Sequence, residues 1–214
     1  MRTFNLTVPA LLLLPLLLAG CGGDPPAEMD ATEATEAEEV MAPGELPPEQ
    51  EAFWGRLVDH CGDSFEGRID DVTPYYEGST QYETIVAHFR ECDDERIHIP
   101  MHMDEDRSRN WILTREEGTI LLKHDHRNED GTEEEITQYG GYAPVPGLAH
   151  RQIFWADDHT AGILPERWDN FWFMDFMDDE TFAYGVHWPE QGHSIRIHFD
   201  LTRTVETPPD PWGY

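Results

Sequence analysis

The sequence predicts an all-β fold, in which an antiparallel meander closes into a barrel behind one short N-terminal helix. Apolar and polar residues alternate with a period of two in most segments after residue 64, which is typical of half-buried strands. Turn-forming pairs such as Glu117-Gly118 and Gln191-Gly192 separate these segments. Many short strands must protect their edges by closing or by stacking, so a two-sheet β-sandwich is the alternative.

The helix is predicted just after Pro47-Pro48. Apolar residues then recur at helical spacing, and Gly62 ends the pattern. The residues that form this apolar face are Phe53, Trp54, Leu57, Val58 and Cys61.

Strands fill the rest of the chain, with further turns at Asp130-Gly131 and Asp178-Asp179. The predicted strands are 65–69, 85–89, 97–103, 111–115, 120–126, 136–139, 152–155, 171–177, 182–188 and 195–204. Segment 171–177 is apolar on both faces, which favours a central position. A leading helix followed by a long meander resembles the calycin, or lipocalin-like, architecture.

The N-terminus resembles the signal peptide of bacterial lipoproteins. The apolar run 11–18 ends in Leu18-Ala19-Gly20-Cys21, a lipobox-like sequence. The resemblance implies that residues 1–20 are removed and that Cys21 is lipidated, which would anchor the protein in the cell envelope. Gly22, in place of an aspartate, favours the outer membrane, with the protein on its periplasmic or surface face. A plain secretory signal and a retained anchor are the alternatives.

The next segment, 21–52, is predicted to be a disordered linker. It carries ten acidic residues and no lysine or arginine. Such a composition buries too little apolar surface to offset the entropy of ordering. Residues 53–214 then form one predicted domain, a size that supports a single core.

The charge of the chain restricts its partners. With 44 acidic and 14 basic residues, the formal net charge is −30. This charge argues against nucleic acid as a partner, because the phosphate backbone would be repelled. We expect a monomer that contacts the membrane through its lipid and binds a small molecule.

The remaining cysteines, Cys61 and Cys92, are predicted to form a disulfide, since a secreted protein folds in an oxidising compartment. Two buried free thiols are the alternative.

Histidines supply the candidate polar site. His124 and His126 share one strand face about 6.6 Å apart along the chain, close enough for both imidazoles to bind one ion such as zinc. Asp125 could instead orient a histidine for acid–base catalysis. Neighbouring strands could contribute the other candidates, which are His98, His102, His198 and Asp200. Separate, solvated surface residues are the alternative interpretation.

Aromatic residues supply the candidate ligand pocket. The chain has seven tryptophans, and a partly hollow barrel lined by aromatic rings would hold an apolar ligand or a sugar. The candidate lining residues are Trp111, Trp172, Phe176 and Trp188. A filled core is the alternative.

Several segments together resemble an uncharacterised family of bacterial secreted or lipid-anchored proteins. They are 105–111 (EDRSRNW), 122–127 (LKHDHR), 139–141 (YGG), 200–202 (DLT) and 208–213 (PPDPWG). The resemblance implies that His124-Asp125-His126-Arg127 belongs to the common pattern of the domain, and it implies no activity.

Three functions therefore follow as hypotheses. The first is a lipid-anchored protein that binds a small apolar or aromatic-stacking ligand. The second is a histidine-based metal-binding protein or hydrolytic enzyme. The third is a non-catalytic envelope scaffold.

Overall fold

The alternating segments form strands in the computed structural model, which describes residues 45–72, 82–143 and 146–214. The strands are β1 (Ser64–Val72), β2 (Ile85–His88), β3 (Glu91–Cys92), β4 (Arg96–Met103), β5 (Asp106–Glu116), β6 (Thr119–His126), β7 (Tyr139–Tyr142), β8 (Arg151–Trp155), β9 (Phe171–Phe176), β10 (Thr181–Trp188) and β11 (His193–Thr204). The helices are α1 (Pro48–Asp59) and α2 (Asp158–Ile163), and a 3₁₀ turn follows at Pro165–Arg167.

Ten of these strands form one antiparallel meander. Their spatial order is β7-β6-β5-β4-β2-β1-β11-β10-β9-β8, and β3 pairs with β4 outside this path. β1 and β11, the first and last described strands in the chain, pair with each other. Among the described strands, the path is therefore open only at the seam between β7 and β8. At this seam the Asp157 amide donates a 2.9 Å hydrogen bond to the Gly140 carbonyl. The predicted meander and its near closure into a barrel are confirmed.

Helix α1 covers one end of the barrel. Phe53, Trp54 and Leu57 are buried there, and the Phe53 ring lies 5.8 Å from the Phe176 ring. The helix begins at Pro48, where proline suits the first turn because its missing N–H would have no helical partner. The disordered linker predicted through residue 52 is therefore wrong in its last residues. Gln50 lies in α1 and is fully buried.

The interior of the barrel is packed with aromatic rings. The Trp111 ring lies 4.2 Å from that of Tyr184, and the Phe176 and Phe182 rings are 5.0 Å apart. The four predicted lining residues lie in this core, and each is less than one tenth exposed: Trp111, Trp172, Phe176 and Trp188. These residues pack with their neighbours in the hydrophobic core, as the filled-core alternative expected.

Local differences from the predicted elements have identifiable causes. Strand β7 starts at Tyr139, three residues later than predicted, after a left-handed residue at Gln138 (φ 57°). Helix α2 was not predicted. It is short, and its N-cap is Asp157, whose carboxylate accepts a 2.9 Å hydrogen bond from the Thr160 amide.

Two features fasten segments to the barrel. The predicted disulfide between Cys61 and Cys92 is confirmed, with the two Cα atoms 6.0 Å apart. The C-terminal segment, residues 205–214, crosses the outer wall, where the Trp212 amide bonds the Arg107 carbonyl at 3.1 Å.

No helix in the described ranges combines the length and apolar character needed to span a bilayer. Cys21 and the signal peptide lie outside the described residues.

Candidate functional site

The predicted histidine pair faces the interior of the barrel. His124 is 3% exposed, and its Nδ1 lies 3.1 Å from the Tyr139 carbonyl, so this nitrogen carries the proton. Its Nε2 accepts a 2.6 Å hydrogen bond from the Tyr184 hydroxyl. The Tyr139 hydroxyl lies 3.0 Å from Nε2 of His126. Each imidazole therefore has protein partners.

Both imidazoles are held neutral. Burial, reinforced by the neighbouring His126, lowers the pKa of His124 to about 3. Burial and the Arg109 guanidinium lower the pKa of His126 to about 4. Burial also raises the pKa of Tyr184 well above its usual range, so its hydroxyl stays protonated and donates to His124. These contacts describe a buried network that stabilises the barrel wall.

Asp125 lies on the opposite, outer face of the sheet and cannot orient either histidine. Its carboxylate accepts hydrogen bonds from Arg127 Nε (2.9 Å), Gln138 Nε2 (2.6 Å) and the Tyr214 hydroxyl. His98 shares this outer face, where its ring centroid lies 4.4 Å from that of Tyr214. The predicted Asp–His pairing within 124–126 is therefore wrong, because adjacent strand residues point to opposite faces.

The other candidates also lie apart from the inward-facing pair. His98 bonds Asn110 at 2.9 Å, and His102 is buried on the outer face of β4. His198 Nδ1 lies 3.1 Å from the Asp70 carboxylate, while Asp200 accepts a 3.0 Å bond from the Thr202 amide. Within the described ranges, no group of three or more His, Cys, Asp or Glu side chains is arranged to hold a metal ion. The convergence proposed for zinc does not occur there.

A different cluster lies on the outer wall formed by β8 to β11. It surrounds a cleft of about 170 Å³, here named the basic–aromatic cleft. Its lining residues are Arg151, Phe171, Phe173, His187, Ser194, Ile195 and Arg196. Strand register explains the cluster, because Phe173 pairs with Gly185, which in turn pairs with Arg196.

Phe173 forms the floor of the cleft. The Arg151 and Arg196 guanidinium carbons lie 5.1 Å and 5.4 Å from its ring centroid, within cation–π range. Phe171 extends the aromatic surface. Its ring centroid lies 4.9 Å from that of Trp155 and 5.1 Å from that of His187. Trp155 is 45% exposed, so an aromatic face is open to solvent beside the cleft.

The charge of this cleft contrasts with that of the whole chain. None of its lining residues is acidic, although the formal net charge is −30. A larger cleft of about 510 Å³ on the outer wall is lined by Glu66, Glu180 and Asp200 among others. A third, of about 390 Å³ beside α1, includes Glu117. Of these three clefts, the basic–aromatic cleft is therefore the one suited to an anion.

Arg151, one of the two arginines of the cleft, has only a weak ion-pair partner among the described residues. Arg151 Nε lies 3.9 Å from the Asp175 carboxylate, beyond hydrogen-bond distance, and has no hydrogen-bond partner within the described ranges. The Arg151 guanidinium can therefore bond a ligand without breaking a strong ion pair. Arg196 pairs with Asp71 across the β1–β11 ladder.

Sequence reasoning missed these residues, although a signal was present. The two-sided apolar character of 171–177 places Phe171 and Phe173 on the face away from the core. Arg151 and Arg196 join them only through the pairing of four strands, which no local pattern specifies.

Comparisons of this chain with family models, with curated proteins and with solved structures found no match.

Proposed function

We propose that this chain is a lipid-anchored binding protein of the bacterial cell envelope, and that its ligand is a small, ring-containing anion held in the basic–aromatic cleft. One observation carries the proposal: two arginines and a histidine meet two aromatic rings in a strongly acidic protein. The Asp175 carboxylate beside Arg151 lies 3.9 Å from its Nε, beyond hydrogen-bond distance. The aromatic-stacking ligand expected from the sequence is retained. The proposed site lies on the outer wall and not in the interior of the barrel, where the sequence predicted it.

The residues of the cleft suit such a ligand in two ways. An aromatic surface, formed by Phe171 and the adjoining Trp155, offers a platform on which a ring can stack. The planar guanidiniums of Arg151 and Arg196 can each form charge-assisted hydrogen bonds with a carboxylate or phosphate. Apolar contact combined with a few convergent polar groups is the usual composition of a small-molecule site.

Binding can be tested with benzoate, a minimal ring-containing anion. Equilibrium dialysis would use the full chain in detergent and compare it with the double variant Arg151→Gln/Arg196→Gln. We expect the double variant to bind at least about tenfold more weakly, because it loses both charge-assisted contacts.

The matched control is Arg68→Gln/Arg203→Gln, which makes the same change of charge in the larger, acidic cleft. We expect its affinity for benzoate to stay within about twofold of the parent chain. Equal losses in both double variants would instead show a general effect of net charge and would contradict the assignment of the cleft.

The lipid anchor is supported by the lipobox-like sequence that ends at Cys21. Cells fed an alkyne-labelled fatty acid should label the protein, and Cys21→Ser should abolish the label. A labelled Cys21→Ser variant, or an unlabelled parent chain, would contradict the anchor.

A further inference from the structure

We infer that Tyr184 and His124 form a proton-coupled redox site inside the barrel. Tyr184 gives one electron to an outer-sphere, one-electron oxidant that meets the barrel surface, and its hydroxyl proton passes to Nε2 of His124. This activity is separate from ligand binding in the basic–aromatic cleft. The hydrogen bond between the two side chains and the rings around them support it.

The hydrogen bond joins a buried phenol to a buried neutral base. The Tyr184 hydroxyl lies 2.6 Å from Nε2 of His124, and both side chains are less than one tenth exposed. Nδ1 of His124 donates its proton to the Tyr139 carbonyl at 3.1 Å, so Nε2 presents its lone pair to the hydroxyl. The donor and the acceptor of one proton are therefore already in place.

This arrangement favours removal of an electron from the phenol. Burial raises the pKa of Tyr184, so the hydroxyl keeps its proton until the ring is oxidised. A phenol that has lost an electron is a far stronger acid than an imidazolium, even one whose pKa burial has lowered to about 3. The O–H bond then breaks and an N–H bond forms at Nε2. The products are a neutral tyrosyl radical, the His124 imidazolium and an oxidant reduced by one electron.

Aromatic rings connect this pair with the surface. The His124 ring stacks on that of partly buried Tyr139, with the centroids 4.6 Å apart and the planes inclined by 12°. The Trp172 ring lies 5.1 Å from that of His124 and 5.6 Å from that of Tyr139. Tyrosine and tryptophan are among the side chains that lose an electron most easily. An electron can therefore leave Tyr184 between neighbouring rings, and the oxidant need not enter the core.

A second pair of the same kind lies nearer the surface. The Tyr139 hydroxyl is 3.0 Å from Nε2 of His126, and Tyr139 is more exposed than Tyr184. The shorter hydrogen bond of Tyr184 gives the stronger coupling to its base. We therefore expect the radical to rest on Tyr184 and not on Tyr139.

The test oxidises the full chain in detergent with photogenerated tris(bipyridine)ruthenium(III), a cationic oxidant that an acidic protein attracts. The histidines carry ¹⁵N, so that electron–nuclear double resonance detects a tyrosyl radical bonded to an imidazole. We expect a trapped tyrosyl radical with ¹⁵N coupling in the parent chain. Tyr184→Phe should abolish this signal. The matched control Tyr139→Phe should retain it, because Trp172 still connects His124 with the neighbouring rings.

His124→Gln tests the proton transfer, because the glutamine carbonyl can accept the hydrogen bond of Tyr184 but does not take up its proton. We expect flash photolysis to show radical formation at least about tenfold slower than in the parent chain. Thermal unfolding checks that each variant is folded, and the measurement on the parent chain depends on no variant.

Three results would overturn the inference. The first is a folded parent chain without a ¹⁵N-coupled tyrosyl radical. The second is a signal that persists in Tyr184→Phe or is lost in Tyr139→Phe. The third is an unchanged rate in His124→Gln. These readouts do not depend on benzoate binding, so the proposed function stands or falls separately.

Discussion

The Phe173 ring lies against Gly185 on the neighbouring strand, so closely that a Cβ added at position 185 would come within 2.2 Å of Phe173 Cζ. The glycine lets the ring lie flat on the outer wall, beneath Arg151 and Arg196. The absence of a side chain at Gly185 thus allows Phe173 to form the floor of the basic–aromatic cleft.

Gly185→Ala is expected to destabilise the protein and to disturb the cleft. The new methyl group would meet Phe173 and also the Ile195 carbonyl, 2.8 Å away, and such overpacking typically costs about 1–3 kcal/mol. Urea unfolding would measure the loss. The control is Gly162→Ala in α2, where a Cβ meets nothing within 4 Å and should be neutral or stabilising. Equal stabilities of the two variants would contradict the close packing at Gly185.

Tyr214→Phe is expected to lower the free energy of unfolding by about 1–2 kcal/mol, because Asp125 is 1% exposed and would lose one hydrogen-bond donor. The control is Tyr142→Phe, which removes an exposed 3.1 Å bond to Glu116 and should cost little. Thermal unfolding of both variants would check this. A loss no larger than in the control would show that the C-terminal segment does not depend on this bond.

Stability is expected to fall as the pH is lowered from about 6.5. The folded-state pKa is lowered to about 3 for His124 and to about 4 for His126 and His102. The unfolded chain therefore binds these protons first, and stability present above pH 6.5 is lost on acidification. Each site adds a slope of up to about 1.4 kcal/mol per pH unit.

The histidine contribution can be separated by substitution. His126→Gln should reduce the slope of unfolding free energy between pH 6.5 and 5 relative to the parent chain. Urea titrations at several pH values measure both slopes. An unchanged slope in His126→Gln would mean that this imidazole is not held neutral in the folded state.

Removal of the disulfide is expected to destabilise the protein by about 2–4 kcal/mol, because the bridge joins residues 31 apart and restricts the unfolded chain. The variant Cys61→Ala/Cys92→Ala can be compared with the parent chain by thermal unfolding. An unchanged midpoint would indicate that the bridge contributes nothing to stability.

Much of the fold was predictable because its signals are local. Alternation along 97–103 and 120–126 produced β4 and β6, and it also placed His124 and His126 together on the inner face. A strand's own pattern specifies which residues share a face. Short elements such as α2 depend on a cap and a few contacts, so their pattern is too weak to detect.

The candidate site was less predictable because it depends on register between strands. His98 and Asp125 lie on the outer face of the sheet, whereas His124 lies on the inner face. The period of two requires this arrangement once the inner face is known. Arg151 and Arg196 are 45 residues apart in the chain and meet over Phe173 through three strand pairings. No spacing in the sequence indicates that meeting.

The most direct test of the central claim is ¹⁹F NMR of the full chain labelled with 5-fluorotryptophan at its seven tryptophans. Trp155→Phe assigns the Trp155 resonance, and benzoate is then added at millimolar concentration. We predict that the Trp155 resonance shifts in a saturable way while those of buried Trp111 and Trp172 stay in place. A Trp155 resonance that does not move, or shifts at Trp111 and Trp172 instead, would contradict binding in the basic–aromatic cleft.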